Sequence, residues 1–206
     1  MEADVAASDL WPSVVERTKA RFGGPPTILV LNAATIAVGP VTEVSDDDWQ
    51  RVFDVNVFAA VRALRACLPP MIELGRGSIV AVASVNALQA EQGLAAYNAS
   101  KGALLQLVRT VAVDHAREGI RANVVCPGPT DTPLFRMHLA TAADPVRFLQ
   151  AREQRNPLGR LLDPSEVART ILFLAGDDAA GMTGSVLVVD AGLNASFDFR
   201  TGEEGA

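Results

Sequence analysis

Gly77-Ser78-Ile79-Val80-Ala81-Val82-Ala83-Ser84 and, thirteen residues after its closing serine, Tyr97-Asn98-Ala99-Ser100-Lys101 decide how this chain folds. The first is a short apolar run ended by a hydroxyl, the pattern of a strand buried on both faces. The second opens a helical pattern over roughly 96–117, with Tyr97, Lys101, Leu104, Val108 and Val111 on one face. A buried strand followed by such a helix is half of a parallel βαβ unit. Ligands of such sheets collect at the carboxyl edge, where Ser84 stands. Tyr97 and Lys101 share a helical face at i and i+4, so a serine hydroxyl and a phenol can converge on one substrate oxygen. A tyrosine titrates near ~10 in water and exchanges protons near neutrality only if a fixed positive charge stabilises the phenolate. Lys101, one turn along, supplies such a charge, and Tyr97 is the only tyrosine in the chain.

Outward from this pair, strand and helix patterns alternate to both ends with no internal repeat, which indicates one α/β domain over residues 1–206 with a mostly parallel sheet. Residues 8–22 read as a helix with Trp11, Val14, Val15, Thr18 and Phe22 on one face, Ser8 as its cap and Gly23-Gly24 as its stop. A strand follows at 27–31, then a helix over 46–68 with a stripe of Trp49, Phe53, Asn56, Ala60, Leu64 and Cys67, ended by Pro69-Pro70. Asn56 is the one polar residue in that stripe. A strand at 121–126 runs into the loop Pro127-Gly128-Pro129-Thr130-Asp131-Thr132-Pro133, and the weakly helical stretch 134–158 reads as a lid. Asp163, Pro164 and Glu166 open a helix that stops at Gly176, and 185–189 form the last strand.

Composition bounds the partners. A chain of 206 residues can bury roughly 70% of its unfolded surface. It is 49% hydrophobic but only 5% aromatic, so Ala, Val, Leu and Ile build the interior. The net charge of −6 and the lack of a basic stripe argue against nucleic acid. Met1-Glu2-Ala3-Asp4 has no leader character, and apolar runs such as 79–83 are too short to cross a bilayer, so a cytoplasmic protein without membrane contact is expected. Cys67, Cys126, His115 and His138 lack metal-ligand spacing; buried thiols in a reducing compartment and no metal site are the expectation. Arg136, Arg147, Arg152, Arg155 and Arg160 make the lid region basic, either as a solvated face or as a site for an acidic substrate group.

With these residues in order, the chain resembles the short-chain dehydrogenase/reductase family, specifically its single-domain members of the acyl-carrier-protein reductase and sugar or alcohol dehydrogenase type. The resemblance runs over nearly the whole chain: Asp4-Val5, Leu31-Asn32-Ala33-Ala34, Asn56, Ser84, Tyr97, Lys101, Pro127 to Thr132, Thr183-Gly184 and Asp190-Ala191-Gly192. It implies a three-layer Rossmann-like fold and reversible hydride transfer between an alcohol or carbonyl and NAD or NADP. Tyr97 is then the proton donor and acceptor, Lys101 lowers its pKa and holds the nicotinamide ribose, Ser84 binds the substrate oxygen, and Asn56 holds a water. The resemblance implies cofactor contacts at Asp4, Val5, Asn32, Ala33, Tyr97, Lys101, Pro127, Gly128, Thr130 and Thr132, and a homodimer or homotetramer. Plainer roles stay open. Asn56 could bond backbone at a helix irregularity, Thr130 and Thr132 could be turn residues, and Asn32 could pin the sheet. Ala34 stands where the family has glycine.

The family's opening strand, its Thr-Gly-x-x-x-Gly-x-Gly turn and its second strand have no counterpart in this sequence, about 60 residues or two strand-helix units. An N-terminally incomplete sheet is therefore expected, with an apolar edge at 27–31 and weakened dinucleotide binding. Three readings follow: an oxidoreductase whose sequence starts late, a short non-catalytic form acting as a partner or regulatory subunit, and an inactive remnant.

Overall fold

The computed structural model describes residues 3–196; Met1 and Glu2, read above for a leader, lie outside them. Four parallel strands, β1 (Ile28–Leu31), β2 (Gly77–Val82), β3 (Ile120–Pro127) and β4 (Val186–Val189), pair in sequence order. Alternation along them sorts side chains to two faces. Leu29, Leu31, Ile79, Ala81, Ala122 and Val124 enter one core with Val15 of α1 (Leu10–Phe22), Leu64, Cys67 and Met71 of α3 (Ala59–Glu73) and Leu104 and Val108 of α4 (Ala95–His115). Val80 and Val125 enter the other with Val167 and Leu174 of α7 (Pro164–Ala175). This is the expected three-layer α/β fold. On the α7 face Ile28 and Val30 remain 51% and 40% exposed, and among the described residues β1 pairs with β2 alone.

The helix expected over 46–68 is longer and less regular. Following α2 (Asp46–Phe53), five residues, Asp54–Phe58, form a π turn, and α3 then continues past Pro69 and Pro70 to Glu73. A proline inside a helix costs about 3 kcal/mol by removing a donor and crowding the carbonyl four residues back. Here the fully buried Met71, beyond both prolines, and Cys67 before them anchor the last turns to the sheet. The run Asp46–Glu73 is long and apolar enough by composition to cross a membrane, which the short apolar runs alone did not suggest; Ala60, Leu64 and Cys67 of its stripe pack in the core with the sheet, and Trp49 packs against a smaller cluster around Val52. Ser8 caps nothing. The N-cap of α1 is Asp9, without a side-chain bond, whereas Gly23 ends the helix in a left-handed conformation as expected.

The stretch 134–158 is more ordered than its mixed pattern implied. It holds α5 (Pro133–Ala140) and α6 (Pro145–Arg155), each begun by a proline behind a capping side chain, Thr132 and Asp144. The capping box of Asp163 and Glu166 forms on α7.

Arg121, on β3, carries no local sequence signal of its role. Its guanidinium donates to the carbonyls of Leu174 at 3.0 Å, Ala179 at 3.0 Å and Gly176 at 2.9 Å, and to Ser78 Oγ at 3.2 Å. It thus serves the open carbonyls and negative dipole end of α7 from the neighbouring strand. Arg121→Met is expected to cost about 2 kcal/mol, because several carbonyls lose a charged donor at once. Urea unfolding should show a lower midpoint with an unchanged slope. Next to it, Gly119 has a φ of 79°, and a Cβ there would lie 2.0 Å from the Gly75 carbonyl oxygen. Only glycine makes that turn.

Candidate active site

Strand β2 leads through Ala83 to Ser84, which is extended and buried at the carboxyl edge of the sheet. Its Oγ accepts from the Asn86 backbone N–H at 3.1 Å, donates to Asn86 Oδ1 at 3.4 Å and lies beside the phenol of Tyr97, the third residue of α4. One turn along α4, the fully buried Lys101 donates to the Val82 carbonyl at 2.8 Å, with its Nζ 5.6 Å from the Tyr97 ring centroid. The three residues singled out from strand and helix patterns therefore meet. Helix α4 carries Tyr97 and Lys101 at one-turn spacing, and its packing on β2 and β3 brings both to Ser84.

The electrostatics differ from the simplest expectation. Burial pushes the Tyr97 phenol up to about 12, with the neighbouring Ser84 hydroxyl opposing and Glu91 and Cys126 adding to the rise. Burial also pulls Lys101 down to about 8. In the chain by itself, desolvation outweighs the help one ammonium can give a phenolate, because that ammonium is turned to Val82. Burial likewise raises the thiol of Cys126, which lies near the end of β3 beside Lys101 and the Ser84 backbone, and raises Cys67 to about 11. The patterns marked both thiols as buried. Nothing local marked Cys126 as a neighbour of the site, since that adjacency comes from the pairing of β2 with β3.

Asn56 lies in the π turn, where the altered winding directs it inward. Its Oδ1 accepts from Thr35 N–H at 2.8 Å, and its Nδ2 donates to Thr35 O at 3.0 Å and Ser100 Oγ at 2.9 Å. Ser100 in turn donates to the Tyr97 carbonyl at 2.8 Å. Asn56 thus ties the loop after β1 to the first turn of α4, the backbone-bonding role at a helix irregularity.

Other expected site residues fall into two groups. Pro127 pairs with Val189, and a Cβ on Gly128 would meet Asp190 Cα at 2.8 Å, so the exits of β3 and β4 close tightly on each other. Thr130 Oγ1 donates to Gly128 O at 2.9 Å, and Thr132 Oγ1 accepts from Phe135 N–H at 3.2 Å as the cap of α5. Both are turn-forming bonds on the loop that borders the site. Asn32 and Ala33 are exposed just past β1, and the Asn32 side chain makes no bond to the sheet among the described residues. Asp4 accepts from the backbone N–H groups of Ala6 and Ala7, and the Val5 carbonyl accepts from the Trp11 indole, at the head of α1. No group of three or more possible metal ligands occurs among the described residues.

The helices α5 and α6 meet on an aromatic centre. Phe148 of α6 meets Phe135 of α5 at 6.4 Å and His138 edge-on at 5.0 Å, and burial lowers the His138 pKa. Three of the five arginines noted in the sequence are paired, Arg136 with Asp131, Arg160 with Glu166 and Arg152 with Glu91.

A family model described as enoyl-(acyl carrier protein) reductase matches residues 1–194. Over 174 residues the chain is 40% identical to the inactive 2-(S)-hydroxypropyl-CoM dehydrogenase 2 of Xanthobacter autotrophicus, covering 84% of this chain and 75% of that protein. It is 36% identical to a cyclopentanol dehydrogenase of Comamonas sp., covering 95% and 76% respectively. The crystal structure of a gluconate 5-dehydrogenase from Burkholderia cenocepacia in complex with NADP and tartrate superimposes with a TM-score of 0.86 at 31% identity, over 95% of this chain and 74% of that one.

Proposed function

This chain belongs to the short-chain dehydrogenase/reductase family, and from that premise we propose that it interconverts an alcohol and a ketone or aldehyde with NAD or NADP, Tyr97 being the proton donor and acceptor. The observation that carries the proposal is the meeting of Ser84, Tyr97 and Lys101 at the carboxyl edge of the sheet. Relatives that act on cyclopentanol and gluconate support a hydroxyl-bearing small molecule as substrate.

The residues present fit the nicotinamide-ribose half of the cofactor. Lys101 is a buried ammonium that spends one donor on Val82 and has two more to give to ribose hydroxyls. Tyr97, Pro127, Gly128, Thr130 and Thr132 would border the nicotinamide, with Asn32, Ala33, Asp4 and Val5 toward the adenine. When bound, the nicotinamide supplies or takes up the hydride. The protein's own part is proton management. Ser84 donates to the substrate oxygen and holds it beside the phenol, and Tyr97 passes its proton to that oxygen in reduction. Because its phenol is held neutral, the free chain is set for reduction at neutral pH, and oxidation should accelerate toward alkaline pH as the phenolate forms.

The test is a panel of secondary alcohols and ketones with each dinucleotide, paired with fluorescence titration by NADH and NADPH. Saturable turnover with the stated pH asymmetry is expected; no binding and no turnover with any pair would overturn the proposal. The second reading, a non-catalytic partner or regulatory subunit, is favoured by the relative whose name is inactive. Exposed Phe58 and Val113, beside α3 and on α4, suit a homodimer or homotetramer, and the two buried free thiols suit the cytoplasm.

A further inference from the structure

Between β2 and α4 runs the segment 84–94, and its Glu91 forms an ion pair with Arg152. Arg152 lies on α6 with its guanidinium 4.4 Å over the Phe148 ring, and its NH2 donates to Glu91 Oε1. The other carboxylate oxygen, Oε2, accepts from Asn86 Nδ2 at 3.2 Å, and the Glu91 carbonyl accepts from Asn98 Nδ2 at 2.9 Å. Asn86 also donates to Asn98 Oδ1 at 2.9 Å, and its backbone N–H is the donor to Ser84 Oγ. A continuous chain of hydrogen bonds thus leads from α6 through Arg152, Glu91 and Asn86 to Ser84, whose Oγ stands beside the Tyr97 phenol. Both members of the ion pair are about three quarters shielded from solvent, at 21% and 24% exposure.

We propose that Glu91 and Arg152 are positioning residues that latch α6 onto the segment 84–94 and, through Asn86, hold the Ser84 hydroxyl toward Tyr97. The geometry assigns Arg152 an internal partner, so it is masked from substrate, and the site selects neutral hydroxyl compounds over acidic ones. Its kinetic consequences rest on the oxidoreductase reading; the latch itself does not.

Hydrogen exchange followed by mass spectrometry on the full chain, Glu91→Gln, Arg152→Gln and Arg152→Lys tests the latch without cofactor or substrate. Loss of either charge is expected to speed exchange roughly three- to tenfold in both 133–158 and 84–94, with β3 unchanged and Arg152→Lys close to the parent. Exchange that rises in the lid alone, or in neither segment, overturns the coupling. Arg152→Lys as fast as Arg152→Gln overturns the role of charge. In turnover, Glu91→Gln should lower kcat about tenfold through a displaced Ser84, with Arg152→Lys keeping most of the activity of the parent. Glu91→Gln should also raise the ratio of kcat/KM for a carboxylate-bearing ketone over its neutral analogue, and Glu91→Gln/Arg152→Gln should remove that gain. An unchanged ratio overturns the masking. Absence of turnover in the parent chain would count against the oxidoreductase reading, and the exchange result would still decide the latch.

Discussion

Tyr97→Phe should lower turnover of a secondary alcohol or ketone by about 10²- to 10⁴-fold, the range that a positioned proton donor contributes. The substitution removes one hydroxyl and keeps the ring, so α4 and its packing on the sheet persist. Lys101 retains its bond to the Val82 carbonyl, and Ser84 retains the Asn86 N–H. Dinucleotide binding, read by NADH or NADPH fluorescence, should therefore change little while kcat collapses. That split separates loss of chemistry from loss of binding. Turnover within a factor of a few of the parent would remove Tyr97 from the reaction. The alkaline rise in the oxidation rate should vanish in the same variant, because no phenol remains to ionise.

Lys101→Met should make the free chain more stable near neutral pH while abolishing turnover. Burial lowers the folded-state pKa of Lys101 from 10.5 to about 8. Below the folded value both states are protonated, and the folded state bears the full desolvation penalty, about 3 kcal/mol for a shift of this size. Between the folded and unfolded values the unfolded chain binds the extra proton, so stability rises with pH and the penalty fades. Methionine removes the penalty at every pH and leaves the Val82 carbonyl without its donor, a loss of about 1 kcal/mol. The net expectation is a gain of about 2 kcal/mol near neutrality, which should shrink and reverse toward the unfolded pKa. Tyr97 and Cys67, raised to about 12 and about 11, lose stability in alkali but do so in both proteins, so the difference isolates Lys101. Urea unfolding of both proteins across this range is the measurement. A stability difference that does not vary with pH would mean that Lys101 titrates normally.

Such a trade of stability for function is what a buried, incompletely paired ammonium signifies. Tyr97 and Lys101 were legible in the sequence because they fall at helical spacing after an apolar strand, a pattern that needs no knowledge of the rest of the chain. Ser84 was legible for the same reason. Asn56 was visible as a polar break in an apolar stripe, but its partners Thr35 and Ser100 lie 21 and 44 residues away, beyond any periodicity. Pro69-Pro70 misled, since a helix stop is a local rule and the burial of Met71 overrides it. Arg121 gave no signal, because its acceptors belong to a helix end 53 to 58 residues further on. The helices α5 and α6 show weakly in the sequence because their caps, Thr132 and Asp144, sit in short stretches that otherwise read as punctuation.

By itself the sequence determined the α/β class, the order of strands and helices, and the placing of Ser84, Tyr97 and Lys101 at one sheet edge. These follow from period-two and period-3.6 patterns, which act over a few residues. Only the tertiary structure decided the acidity of the phenol, the direction in which Lys101 points, and the link from Arg152 to Ser84. Desolvation depends on every atom that excludes water from a group, and those atoms come from elements far apart in the chain. No window of sequence contains them all.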